Sequence, residues 1–377
     1  MTGFLLTSLP MLTIFAWYWR VARRPELMYA DSEFSRQLLS AVPRLTRRYM
    51  PTPWLVNAHL QILAIDLKKR MTSSAQYDHS QLLTMRDGGT TGLYWMGHDL
   101  PADTPTLLVF HTITGSAESM RDTMSELLEA SGWRVVLCLR RGHGKLPLTA
   151  PRFNTLGDTD DLREQIGEIR AQFPESPLYA LGISAGSGLL VRYLGEEGEH
   201  SAIRGGMAYC PGYNIEVAFT RALPFYSKLM AKRLVKQFIS PNQKFFADLK
   251  SYRRGVEAVD LHDLHDHLYE FAGFSSREDY MNASNPMHVI KNIKVPLLVL
   301  NAEDDPICSI ENVRENAGLV QSQPNIMLAV TARGSHCAHF EGMRMRSWGS
   351  LLAAEYFVAL DAQQGMEPEA EPMPVAC

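Results

Sequence analysis

The sequence predicts an α/β fold: a mostly parallel central sheet, helices on both of its faces, and a helical cap inserted late in the chain. Three observations carry this reading. From about residue 81, short apolar runs that suit buried strands alternate with stretches of helical periodicity. The alternation stops between residues 215 and 285, which hold no strand-like run. It then resumes and continues to about residue 360.

Length and composition suit one large domain with an insertion or two modest ones. The 377 residues are 46% hydrophobic and 21% charged, enough to bury a substantial core. A net charge of −4 gives no electrostatic footprint for a nucleic-acid partner. Five cysteines, an odd number without regular spacing, do not make a disulfide framework and read as small buried thiols. Oligomeric state is not legible.

The chain opens with Gly3 to Trp19, GFLLTSLPMLTIFAWYW, which carries no charge and is followed by Arg20, Arg23 and Arg24. A cleaved signal peptide would carry its positive charge ahead of the apolar run, and Trp17-Tyr18-Trp19 suits a headgroup interface. Residues 1–24 are therefore expected to be a single-pass membrane anchor, with an interfacial or core segment the alternative that Pro10 and the polar Thr7, Ser8 and Thr13 leave open, and the trailing arginines favour a cytosolic main domain. Residues 25–80 read as a polar, Pro-interrupted lead-in, and 81–214 with 286–360 as the α/β core. Strands are expected at 104–110 (TPTLLVF), 133–139 (WRVVLCL), 177–183 (PLYALGI), 202–210, 295–301 and 325–330. Helices are expected at 119–130, 158–173, 185–195, 310–319 and 343–360. The cap, 215–285, reads as helices over 219–239 and 259–274, and the acidic, Pro-containing tail 361–377 reads as disordered.

Within this frame Gly182-Ile183-Ser184-Ala185-Gly186 fits G-x-S-x-G at a strand-to-helix junction. There a serine stands exposed on a tight turn, and the glycines remove Cβ atoms where strand and helix cross. Serine is a weak nucleophile alone, so a base and a group to orient it should follow in the order Ser, acid, His. The loop after the 295–301 strand offers Asp305, ahead of Pro306, with Asp304 as the alternative. The loop after the next strand offers His336, following Gly334-Ser335, with His339 as the alternative. Oxyanion donors are expected from the backbone N–H of Ala185 and from the loop HTITG, at Ile113 or Thr112.

These segments together resemble the α/β-hydrolase superfamily, and within it the AB hydrolase 4 subfamily of membrane-associated lipid esterases and medium-chain ethyl ester synthases. The likeness runs from about residue 50 to 350 and rests on PTPWLVNAHLQ, HTITGSAES, RRGHG with LGDTDDLRE, FAGFSSREDYMNAS, NAEDDP and GSHCAHFEG. It places the family's charge-relay residues on Ser184, Asp305 and His336. Two departures stand out: His111-Thr112 where the family commonly has His-Gly, and Ser187 where a further glycine is usual.

The resulting expectation is a serine hydrolase cleaving carboxylic esters of lipids (acylglycerols, phospholipids or medium-chain acyl esters) through an acyl-enzyme, with no cofactor and no metal. An alcohol replacing water would make the same site an ester synthase, and a catalytically silent binding protein is the alternative from another class. Phe219, Leu223, Phe225 and Leu229 of the cap are candidates to line an acyl channel. The remaining polar clusters are read as structural. His98 to Asp103 matches an H-x4-D pattern far from the elbow; His262, His265 and His267 read as a solvated cap helix rather than a metal site; Arg140, Arg141 and His143 read as a solvated basic loop, and His59 as structural.

Overall fold

The six apolar runs become the middle of one sheet. The computed structural model describes residue 13 and residues 15–71, 75–154 and 156–365. Its nine-stranded sheet contains β1 (Glu26–Tyr29), β2 (His79–Thr84), β3 (Thr90–Met96), β4 (Thr106–Phe110), β5 (Arg134–Leu139), β6 (Leu178–Ile183), β7 (Gly205–Tyr209), β8 (Leu297–Ala302) and β9 (Ile326–Thr331). The order is β1-β9-β8-β7-β6-β4-β5-β3-β2. From β5 to β9 every pairing is parallel, whereas β1, β2 and β3 pair antiparallel at the two edges.

All residues of the six parallel strands are buried, as a sheet covered on both faces requires. One face packs Leu107, Val109, Leu137 and Leu181 against helices α1 (Glu33–Ala41), α3 (Ala117–Ser131) and α11 (Trp348–Gln364), through Leu38, Met124, Leu127 and Phe357. The other packs Leu108, Val136, Ala180 and Val299 against α4 (Asp160–Gln172), α5 (Ala185–Glu197) and α10 (Ile310–Gln321), through Ile166, Leu190 and Val313. Successive residues of a strand thus feed opposite cores, which explains why these strands read as continuous apolar runs.

Between β7 and β8 lie α6 (Ile215–Arg221), α7 (Pro224–Leu234), α8 (Leu261–Phe271) and α9 (Arg277–Ser284), with no strand among the described residues there. They gather their own apolar cluster, in which Phe153, Phe246 and Phe271 meet at ring-centroid distances of 5.2 to 6.0 Å. Ile113, from the loop after β4, belongs to that same cluster and joins cap to core.

Three expectations are corrected. The lead-in supplies a sheet strand, β1, registered against β9 from Glu26↔Val330 to Tyr29↔Met327, and a helix α2 (Ala58–Met71). The last helix starts at Trp348 rather than 343, because Phe340–Glu341 and Arg346–Ser347 pair as a small hairpin and the Ser347 side chain caps the helix. It runs on to Gln364, past the expected start of the disordered tail: the Tyr179 hydroxyl donates to Asp361 at 2.9 Å and holds the final turn on the sheet. Residues 366–377, and most of the expected anchor, lie outside the described residues. Among the described residues no helix is long and apolar enough to cross a membrane.

Candidate active site

Ser184 sits between the end of β6 and the first residue of α5 with φ 55° and ψ −116°, a conformation a side chain rarely adopts. The turn is held by its backbone: the Ser184 N–H donates to the Tyr209 carbonyl at 2.8 Å, and Ser187 N–H returns to the Ser184 carbonyl at 2.9 Å. The two glycines are steric necessities. A Cβ on Gly182 would lie 2.5 Å from the Gly186 carbonyl oxygen, and one on Gly186 would lie 2.1 Å from that of Phe110. Ser187, at the position where a second glycine is usual, donates its hydroxyl to the Ser184 carbonyl.

His336 Nε2 lies 2.8 Å from Ser184 Oγ, and its Nδ1 lies 2.8 Å from Asp305 Oδ2. A carboxylate only accepts, so Nδ1 carries the proton and Nε2 is left to accept from the serine hydroxyl. Asp305 is itself fixed, its Oδ1 accepting from the N–H groups of Ile307 and Cys308 at 2.8 and 2.9 Å. Burial alone would push the His336 pKa down; the Asp305 carboxylate overrides it and holds the imidazole well above the usual histidine value.

The two alternative residues have other employment. Asp304 accepts from the Ser335 N–H at 2.8 Å and stands 3.9 Å from Arg333, away from the imidazole, and burial raises its pKa to about 6. His339 is buried, its Nδ1 3.0 Å from the Tyr209 hydroxyl and its Nε2 2.8 Å from Thr331 Oγ1; burial lowers its pKa to about 3. Gly334 packs on that ring, where a Cβ would lie 2.2 Å from Nε2, so the glycine ahead of His336 provides close contact as well as freedom.

The loop after β4 is braced from behind. Arg140 donates to the His111 and Thr112 carbonyls at 3.1 and 2.8 Å, and its backbone N–H donates to His111 Nε2 at 3.1 Å. That contact makes Nε2 the acceptor, so His111 Nδ1 donates to the Thr112 carbonyl at 2.8 Å. His143 Nε2 meets the Ile113 carbonyl at 3.1 Å. Arg140, Arg141 and His143 are therefore buried, correcting the reading of a solvated basic loop. Burial lowers the Arg140 pKa to about 9 and that of His143 to about 3. Arg141 is an ion-pair hub, bridging Asp87 and Asp161. Nothing in composition distinguishes such a loop from a solvated one; RRGHG is informative only as a motif.

An apolar cavity adjoins Ser184, lined among others by Ile113, Ala185, Phe219, Met230, Met287 and Ile307. Of the expected acyl-channel residues only Phe219 is there. Tyr226, Met230 and Leu234 form the inward row of α7, which rotates Phe225 and Leu229 away, and Leu223 is exposed at the helix start. His265 is buried against Phe219 and Tyr280, its pKa lowered to about 3 by burial, so the His262–His267 segment is not fully solvated. His59 contacts the Tyr226 hydroxyl at 2.7 Å.

Two groups of potential metal ligands occur among the described residues, Cys210-His336-Cys337 and Asp305-Cys308-His336. Both nitrogens of His336 are already engaged by Asp305 and Ser184, and burial raises the pKa of all three thiols, keeping them protonated. The donor set suits a hydrogen-bonded relay better than a cation.

Comparison with known proteins agrees with this architecture. The chain is 27% identical to the monoacylglycerol lipase ABHD2 of Homo sapiens, over 89% of this chain and 85% of that protein. It is 29% identical to the embryogenesis-associated protein EMB8 of Picea glauca, over 93% of this chain and 80% of that one. An acylaminoacyl peptidase solved in complex with Z-Gly-Gly-Phe-chloromethyl ketone shares the fold, with a TM-score of 0.50 and 15% identity over 76% of this chain and 42% of that one. A family model described as serine aminopeptidase, S33 matches residues 103–343. The match spans more than half of the chain, and the protein belongs to that family, the AB hydrolase 4 type of α/β-hydrolases.

Proposed function

We propose that the protein hydrolyses carboxylic esters of lipids through Ser184, His336 and Asp305. The observation that carries this reading is the unbroken hydrogen-bond chain from Asp305 through His336 to Ser184 Oγ, opening on an apolar cavity. Relatives named monoacylglycerol lipase and phospholipase support lipid esters as the substrate class.

Ser184 Oγ attacks the ester carbonyl while His336 Nε2 takes its proton, and Asp305 stabilises the imidazolium that forms. The Ala185 N–H, at the first position of α5, has no acceptor within its helix and is one oxyanion donor. The second is the Ile113 N–H. Its peptide partner, the Thr112 carbonyl, is turned onto Arg140, and a planar trans peptide directs the following N–H the opposite way. Collapse of the tetrahedral intermediate breaks the ester C–O bond, and the imidazolium proton goes to the departing alcohol. Water then gives a proton to His336 as it attacks the acyl-serine; the acyl–Oγ bond breaks, His336 returns that proton to Ser184 Oγ, and the carboxylic acid leaves. The uncharged, aromatic start of the chain supports association with a lipid surface.

A panel of p-nitrophenyl and glyceryl esters of graded acyl length tests the reading. Turnover by wild type that Ser184→Ala abolishes supports it. A folded wild type inert across the panel contradicts it.

A further inference from the structure

We infer that α2 and the start of α7 form a surface that docks flat on a phospholipid bilayer, presenting the His336 side of the protein to it; this deepens the lipid-ester reading and rests on it. Isolated exposed leucines are ordinary, but α2 also carries an outward apolar row besides the Ala64 and Ile65 that it packs against Leu55 and Phe340. Its inner side buries Gln61 and Ala64, while Leu60, Leu63 and Leu67 form an outward row at helical spacing, with Leu63 65% exposed. Beside it, Phe225 is 71% exposed at the start of α7.

These elements are tied to one another and to the reactive loop. The Ser335 hydroxyl, one residue before His336, donates to the Ala58 carbonyl at 2.8 Å. His59 binds Tyr226, whose ring contacts Phe225. On the other side of that loop, Trp17 and Arg20 share a crevice with Ala332 and Arg333, so the aromatic N-terminal segment borders the same loop.

Charge selects the occupant. Arg20, in that crevice, is exposed and forms no ion pair with a carboxylate among the described residues. A guanidinium beside an aromatic segment and an apolar face matches a phosphate headgroup over an acyl layer. A second copy of this chain would bring arginine against arginine instead.

The deciding measurement compares wild type, Leu63→Asp/Phe225→Asp and Leu82→Asp, the last an equally exposed leucine on the distant edge strand β2. Each is assayed on a long-chain ester in phosphatidylcholine/phosphatidylserine vesicles and on a soluble short-chain ester. The vesicle-to-soluble rate ratio should fall about tenfold or more in the double variant and stay within about twofold in Leu82→Asp. A ratio unchanged in the double variant, or equally reduced in Leu82→Asp, overturns the docking surface. The soluble rate reports folding. If wild type cleaves neither ester, the lipid-ester reading fails, and flotation of the same three proteins with the vesicles then decides the docking surface alone: selective loss in the double variant supports it, equal flotation overturns it.

Discussion

The elbow and the cap face each other across one cavity, yet they are held by different means. Around Ser184 the constraints are between backbones: Gly186 meets the Phe110 carbonyl and Ser184 meets the Tyr209 carbonyl, with no room for a side chain. Across the cavity, α6 and α7 present Phe219 and Met230, whose contacts are made by adaptable side chains. The elbow geometry is thus rigid and sequence-specific, whereas the cap wall of the cavity can be repacked with modest loss.

The sharpest way to break this contrast is a single methyl group. Gly186→Ala should fail to accumulate as folded protein or lose about 4 kcal/mol or more, because the new Cβ meets backbone that cannot step aside. Gly188→Ala, two residues on with nothing within 4 Å, should be neutral or more stable by up to about 1 kcal/mol in thermal unfolding. Next in size, Asp305→Asn should stay folded and lose about 10⁴ in kcat, since an amide no longer selects the working tautomer. In wild type, the acid limb of kcat/KM should lie above the usual histidine value, because His336 must be deprotonated to act and Asp305 raises its pKa.

The loop after β4 tests the rigid side from behind. Arg140→Gln leaves the Thr112 and His111 carbonyls under-satisfied, and should cost about 1–3 kcal/mol of stability and lower kcat more than it raises KM. Asp304→Asn has the opposite sign. The folded pKa of Asp304, about 6, lies above its ordinary 3.8, so the stability linked to its proton is fully present below 3.8 and lost as pH rises through 6. The variant should therefore be more stable than wild type above pH 6, by up to about 3 kcal/mol, and show a flatter stability profile across that window. The smallest effects belong to the cap. Phe219→Ala should raise KM for long acyl esters several-fold with kcat little changed, while Leu229→Ala, outside the cavity, should leave both within about twofold.

Legibility in the sequence followed the same division. The parallel strands were readable because burial on both faces makes them continuous apolar runs, and the hydrogen-bonded Ser184, Asp305 and His336 each follow such a strand. The edge strand β1 was hidden: ELMY is four residues long and only one of them is buried, so pairing with β9 rather than periodicity makes it a strand. Arg140 and His143 were misread because a buried guanidinium and imidazole satisfied by carbonyls are the same residue types as those of a solvated loop. Phe225 and Leu229 were misassigned because apolarity marks a cap helix without fixing which of its faces turns inward.

Ser184 should become acylated during turnover. Acid-quenching the enzyme within the first turnovers of a p-nitrophenyl ester, followed by peptide mass mapping, tests this directly. The account predicts one acyl group on the peptide containing Ser184, absent from Ser184→Ala and accumulating less in Asp305→Asn. Turnover with no adduct on that peptide, or with the acyl group on Cys308 or Cys337, would contradict it.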